Sequence, residues 1–125
     1  MIHSCDLSTP TRKFDTLRTW TYLLFEEFFH QGDVEKAQGQ PASFLCDRET
    51  TIVAKEQPGF CNFIVIPAWK VVSALLPRVE CAEQRARQNV QNWQQHEETE
   101  EERRVYSPKP GKLEAALPTP AINSA

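Results

Sequence analysis

Asp6 is the first residue whose type and surroundings could support chemistry. It precedes a Ser-Thr-Pro sequence, where an aspartate is most often a turn residue or a helix cap. As a metal ligand it would need partners, and the available imidazoles are His3, His30 and His96. None of them stands at an HxxxH or HxxE spacing to another ligand. The sequence by itself therefore predicts no complete metal site.

A second candidate is Gln57, which lies between Glu56 and the segment Pro58-Gly59-Phe60. A buried glutamine amide beside an aromatic ring suits recognition of a planar heterocycle. The amide supplies both a donor and an acceptor, and the aromatic face can stack on the ring. The alternative is the ordinary start of a helix, and the residues alone leave both interpretations open.

His30 is a weaker candidate. It follows Phe28-Phe29 and precedes Gln31-Gly32. A histidine is favourable near the negative end of a helix, and a glycine often follows such an end. Because no partner residue is recognisable, a helix C-terminus is favoured over a catalytic base.

Charge and motifs exclude several classes of protein. The 125 residues hold 14 basic and 17 acidic side chains, for a net charge of −3. A broad nucleic-acid-binding surface needs a concentrated basic patch, so nucleic acid is not an expected partner. The chain carries no P-loop, GxSxG, GxGxxG or CxxC motif.

The four cysteines are predicted to be reduced thiols. None forms a CxxC pair, which leaves a zinc finger or a thioredoxin motif unsupported. The N-terminal residues have no signal-peptide pattern, and no run approaches eighteen consecutive apolar residues. We therefore expect a cytoplasmic protein with no membrane span.

The elements that would position these residues are helical. Apolar residues from Phe14 to Phe28 recur at steps of three and four and predict an amphipathic helix over about 14–30. Gly32 is expected to end it. A short helix is expected over 34–38, followed by a loop over 39–46.

Three further helices are predicted. Asp47 suits the cap of a helix over 48–56. A long apolar helix is expected over about 58–76, with a kink at Pro67. A surface helix with a narrow apolar stripe is expected over 78–96.

Core-forming residues crowd into the first part of the chain. Residues 1–77 hold ten of the twelve aromatic side chains. An acidic run starts at residue 97, and residues 105–125 carry four prolines and little that could pack. We predict a folded region over 1–96 and an acidic, then proline-rich, disordered tail over 97–125.

Taken together, several short motifs resemble the C-terminal part of the class I 3',5'-cyclic-nucleotide phosphodiesterase catalytic domain. The segments that carry the resemblance are similar to the family's "DLSNPT", "EEFFxQGD", "CDR", "QxGF" and "NRNW" sequences, and in this chain they are residues 6–11, 26–33, 46–48, 57–60 and 89–93. They occur in the family's order over about residues 1–95. The resemblance implies an all-α fold, namely the C-terminal helices of the HD-type phosphodiesterase catalytic domain.

The resemblance also implies roles for individual residues. Asp6 matches the aspartate that completes the zinc site. Gln57 matches the glutamine that hydrogen-bonds the purine, which Phe60 and Leu24 would clamp from opposite sides. The remaining matches to the base pocket are Leu45, Trp20, Thr21 and Thr9.

The implied activity is metal-dependent hydrolysis of cAMP or cGMP to the 5'-monophosphate, with zinc and magnesium as the metals. Three residues depart from the family pattern near the base: Thr9 stands where many members have asparagine, Leu17 where several have tyrosine, and Glu56 adds an unusual charge. The choice between cAMP and cGMP therefore stays open.

The family's other metal ligands belong to HNxxH and HDxxH helices that lie N-terminal to the aspartate loop. Asp6 alone is not expected to bind zinc tightly, so we expect this chain by itself to be inactive. The alternative is a non-catalytic helical remnant that binds a nucleotide or a protein. In either case, a protein partner or the missing N-terminal half would cover exposed apolar faces.

Overall fold

The computed structural model describes residues 2–99 and 102. Within that part of the chain all regular structure is helical and no strand occurs, which confirms the all-α fold class. In chain order the elements are α1 (Ile2–Asp6), a 3-10 turn (Thr9–Thr11), α2 (Phe14–Ala37), α3 (Val53–Phe60), a π turn (Cys61–Val65), α4 (Ile66–Leu75), a 3-10 turn (Pro77–Val79) and α5 (Glu80–Gln95). Of the predicted tail over 97–125, residues 100, 101 and 103–125 lie outside the described residues, and the prediction of disorder stays a prediction.

Helix α5 joins two groups of buried side chains. Its Trp93 is 1% exposed and packs with side chains of α2 and α3 in the first group, whose members are Leu17, Tyr22, Phe25, Phe29, Val53, Ala54 and Trp93. Its Ala86 and Val90 pack in the second group with Cys61, Val65 and Ile66. The predicted stripe on helix 78–96 is therefore confirmed as the face that binds the other helices together.

Helix α2 is longer than the sequence predicts. The expected end at Gly32 and the separate helix over 34–38 are wrong, because α2 runs without a break to Ala37. Gly32 is buried against the loop that follows, where a Cβ would lie 2.0 Å from the carbonyl oxygen of Cys46. The glycine is needed for this close approach rather than for ending the helix.

The predicted start of the helix over 48–56 is also wrong. Residues 48–50 form a turn, and α3 begins at Val53. Asp47 does cap its local turn, since the Glu49 amide donates to its carboxylate at 3.0 Å. The β-branched residues Thr50, Thr51 and Ile52 have low helix propensity, which explains why α3 begins later in the sequence than predicted.

The long apolar helix begins earlier than expected. A continuous helical segment runs from Val53 to Leu75, so Pro58 lies inside it rather than at its start. Pro67 stands in the first turn of α4, directly after the π turn. Because the helical segment is continuous there, the missing N–H of Pro67 removes one backbone hydrogen bond from it, next to the π turn.

The segment Val53–Leu75 is long and apolar enough to cross a membrane, judged by length and composition alone. Of its most apolar stretch of 18 residues, 17% is buried. Core helices of soluble proteins meet the same criterion. The expectation that the chain has no membrane span therefore stays a prediction.

Candidate functional site

A cleft of about 340 Å³ opens between the loop after α1, the middle of α2, the loop around Leu45 and the helix α3. All the predicted site residues line it, namely Asp6, Thr9, Trp20, Thr21, Leu24, Leu45, Gln57 and Phe60. The structure thus brings together residues that are spread over more than fifty positions of the sequence, while the role of each residue stays a prediction.

Six further residues line the same cleft: Leu7, Pro10, Leu17, Phe25, Phe28 and Glu56. Leu17 and Glu56 are two of the residues that depart from the family pattern, and the resemblance predicts that they lie near the base. The others were not singled out as site residues. Phe25 and Phe28 belong to the apolar face of α2, so helical periodicity could have suggested them.

Gln57 is the polar centre of the cleft. Its side chain is 7% exposed, and within residues 2–99 and 102 it has no hydrogen-bond partner. Because the described residues leave its donor and acceptor unpaired, a ligand that pairs with both would gain hydrogen bonds there. The arrangement can present one donor and one acceptor to a ligand at the bottom of a mainly apolar cleft.

Two partly exposed apolar side chains, Phe60 and Leu24, line the cleft together with this amide. Phe60 lies one helical turn beyond Gln57 on α3, and its side chain is 40% exposed. Leu24 faces the cleft from α2 and is 47% exposed. Both therefore have free surface available to a flat ring, as a site that sandwiches a heterocycle requires.

The loop that carries Leu45 is tied to the end of α2. Ser43 donates from its backbone amide and from its hydroxyl to the Glu35 carboxylate, at 2.6 and 2.7 Å. A hydrogen bond from the Gln31 side chain, followed by those from Ser43, holds the pKa of Glu35 below its ordinary value. The anchored loop keeps Leu45 in a left-handed backbone conformation, with φ at 65°.

Two ion pairs fix the other end of that loop. Lys36 contacts Asp47 at 2.7 Å, and this contact lowers the pKa of Asp47. Arg48 makes a two-pronged contact with Asp33, with its Nε at 3.0 Å from Oδ1, and its guanidinium lies 5.5 Å from the centre of the Phe29 ring. The segment similar to the family's "CDR" sequence thus acts as an anchor for the wall of the cleft.

Two side chains from later in the sequence, Trp69 and Asn89, donate hydrogen bonds to the loop after Asp6. The Asn89 side chain donates to the carbonyl oxygens of Pro10 and Arg12, at 2.8 and 2.9 Å. The Trp69 indole donates to the carbonyl oxygen of Leu7 at 3.0 Å. Because Asn89 is 2% exposed, these bonds are shielded from water and fix the loop that carries Asp6.

The described residues do not complete a metal site. Asp6 is exposed and lines the cleft, but no group of three His, Cys, Asp or Glu side chains lies together within residues 2–99 and 102. A catalytic zinc usually has three protein ligands, and Asp6 provides one carboxylate. Asp6 therefore fits a metal only as one ligand of a larger set.

Comparison with known proteins places the chain in a family. Residues 1–86 match the family described as 3'5'-cyclic nucleotide phosphodiesterase. The chain is 49% identical over 76 residues to the dual specificity calcium/calmodulin-dependent 3',5'-cyclic nucleotide phosphodiesterase 1 of Drosophila melanogaster. The aligned region covers 61% of this chain and 9% of the relative. The chain is 44% identical over 79 residues to the human enzyme 1C, covering 63% of this chain and 11% of the relative.

The bovine enzyme 1B is 47% identical over 73 residues, covering 58% of this chain and 14% of the relative. The chain thus spans between 9% and 14% of the length of these three relatives. The match to the family includes every residue of the cleft and more than half of the chain. This chain therefore belongs to the 3',5'-cyclic nucleotide phosphodiesterases, a family of metal-dependent enzymes.

Proposed function

We propose that the cleft binds the purine base of a 3',5'-cyclic nucleotide. The observation that carries the proposal is the Gln57 amide, which belongs to a buried residue, has no side-chain hydrogen bond to the rest of the described chain and lines the cleft with apolar side chains. A purine offers donors and acceptors on its edge and two flat faces. The amide would pair with the edge, and Phe60 and Leu24 would contact the two faces.

The proposed reaction of the complete catalytic domain is hydrolysis of the cyclic phosphate of cAMP or cGMP to the 5'-monophosphate. Its proposed metals are zinc and magnesium, with Asp6 as one ligand. The support for this role is the match of Asp6 to the family's aspartate and its place at the rim of the same cleft. The 125-residue chain alone is proposed to bind nucleotide without hydrolysing it.

A second candidate function is that of a non-catalytic helical segment that binds a protein. The observation that favours it is the exposure of large apolar side chains on Val53–Leu75, where Phe63 is 81% exposed and Leu75 is 72% exposed. Such side chains are typical of a surface that another polypeptide covers.

A cytoplasmic location is also proposed. The supporting observation is that all four cysteines are free thiols, two of them exposed and two buried. Free thiols are usual in reducing compartments.

The binding proposal is tested with the purified 125-residue chain and two variants. Binding of cAMP and cGMP would be measured by isothermal titration calorimetry for the wild type, for Gln57→Ala, and for the matched control Gln94→Ala, whose side chain is exposed on α5. Loss of the amide should weaken binding about tenfold or more, and the control should leave it unchanged. Equal affinities in all three proteins, or no binding to the wild type, would show that the proposal is wrong.

A further inference from the structure

Glu56 places a second carboxylate in the cleft. Its side chain is half-buried on α3 and precedes Gln57 directly. Within residues 2–99 and 102, the carboxylate of Glu56 makes no hydrogen bond or ion pair, and its backbone amide donates to the carbonyl oxygen of Ile52. Among the described residues, no lysine, arginine or histidine lines the cleft and neutralises this carboxylate.

The position of Glu56 relative to the base-binding residues follows from helix geometry. Phe60 lies four residues beyond Glu56 and three beyond Gln57. Side chains three and four positions apart are neighbours on a helix surface. The carboxylate, the amide and the aromatic ring therefore line one side of the cleft together, and a ring stacked on Phe60 would have its edge near both polar groups.

An ionised carboxylate only accepts hydrogen bonds, and this restricts the edge it can face. Guanine presents two adjacent donors, its N1–H and its N2 amino group, beside the O6 acceptor. Adenine presents an acceptor, N1, beside the donor N6. A carboxylate can accept a hydrogen bond from each of these guanine donors at once, whereas with adenine one of its oxygens would face the N1 lone pair, and no proton would lie between the two acceptors.

We propose that Glu56 is a base-selecting residue that makes the cleft prefer guanine over adenine, and hence cGMP over cAMP. The inference rests on the proposed function of the cleft. The Gln57 amide complements it, since its NH₂ group can donate to O6 of guanine while the Glu56 carboxylate accepts from N1–H and N2–H. Charge-assisted bonds of this kind are among the stronger hydrogen bonds in proteins.

The test compares the affinities of one chain for two nucleotides. Dissociation constants for cGMP and cAMP would be measured by calorimetry on the full 125-residue chain, on Glu56→Gln, and on Glu56→Ser. The control is Glu27→Gln, which removes an exposed carboxylate of α2 outside the cleft. Circular dichroism melts would establish that each variant is folded.

We expect the wild type to bind cGMP about tenfold or more tightly than cAMP. Both Glu56 variants should lose most of that ratio through weaker cGMP binding, and the control should retain it. A wild type that prefers cAMP, or a ratio unchanged in folded Glu56→Gln and Glu56→Ser, would overturn this inference while leaving base binding by the cleft intact. Absence of binding for both nucleotides would instead overturn the proposed function, and the inference with it.

Discussion

The backbone of Gly32 lies against the carbonyl oxygen of Cys46, so closely that a Cβ on Gly32 would be 2.0 Å from that oxygen. This contact joins the second half of α2 to the loop that carries Leu45. Since the opposing atom belongs to the backbone, it cannot move aside as a flexible side chain would. The wall of the cleft therefore depends on the absence of a side chain at position 32.

Gly32→Ala should lower the free energy of unfolding by about 3 kcal/mol, because the added methyl group forces α2 and the loop apart. Urea denaturation would measure the change. The matched control is Gly59→Ala, since a Cβ at Gly59 meets nothing within 4 Å. That substitution lies in α3 and should raise the stability by about 0.5 to 1 kcal/mol. Equal effects at the two glycines would contradict the proposed role of the contact.

Asn89→Ala should destabilise the chain by about 2 to 4 kcal/mol. It removes the two hydrogen bonds that Asn89 donates and the one that it accepts from Asn92, and it leaves the carbonyl oxygens of Pro10 and Arg12 without that donor. Denaturant unfolding would give the free energy, and hydrogen exchange would report loosening of the segment around Asp6. The exposed Gln94→Ala serves as control and should change the stability by less than about 0.5 kcal/mol. Wild-type stability in Asn89→Ala would contradict the anchoring role.

The stability should fall in alkaline solution between about pH 9 and pH 11. Burial raises the pKa of the Cys61 thiol to about 11, so the folded state keeps a proton that the unfolded chain releases above pH 9. The stabilisation is complete below pH 9 and is lost as the pH rises through 11, by about 3 kcal/mol in all. Burial also raises the pKa of Tyr22, which adds to the fall at the upper end.

Denaturant unfolding at a series of pH values would measure this loss. Cys61→Ala should flatten the curve between pH 9 and pH 11, although it lowers the stability at neutral pH. A variant at the exposed Cys81, Cys81→Ala, should keep the wild-type slope. The same slope in Cys61→Ala and in the wild type would assign the pH dependence to other groups.

The 125-residue chain should not hydrolyse cAMP or cGMP in the presence of zinc and magnesium. The described residues supply one exposed carboxylate at the cleft and no group of three metal ligands. The measurement is release of 5'-monophosphate, followed by chromatography against a protein-free blank. Metal-dependent turnover that Asp6→Asn abolishes would contradict this prediction.

The helices could be predicted where the spacing of apolar residues within the segment itself shows the buried face. The apolar spacing from Phe14 onward and the stripe on α5 gave the correct faces, because amphipathic periodicity reflects burial directly. The error at Gly32 arose because a distant contact overrides local propensity. Gly32 resembles a helix end in the sequence, but its contact with Cys46 makes it a packing residue.

The candidate site could be predicted only in part. Resemblance to the family selected residues that the structure then placed in one cleft, including Gln57 and Phe60. The supports of that cleft were missed. Trp69 and Asn89 bond to backbone carbonyl oxygens 62 and 79 residues away, and no side-chain pattern marks such an acceptor.

The bond between Asn89 and Pro10 has a consequence for synthesis on the ribosome. Its two ends are separated by 79 residues, so the acceptor is made long before the donor. At typical elongation rates of 5 to 20 residues per second, the delay is about 4 to 16 s. During that interval the segment around Asp6 lacks its buried anchor, and it becomes fixed only when α5 has emerged and docked. The segment around Asp6, which is synthesised early, therefore reaches its final position in the cleft only after α5 has formed.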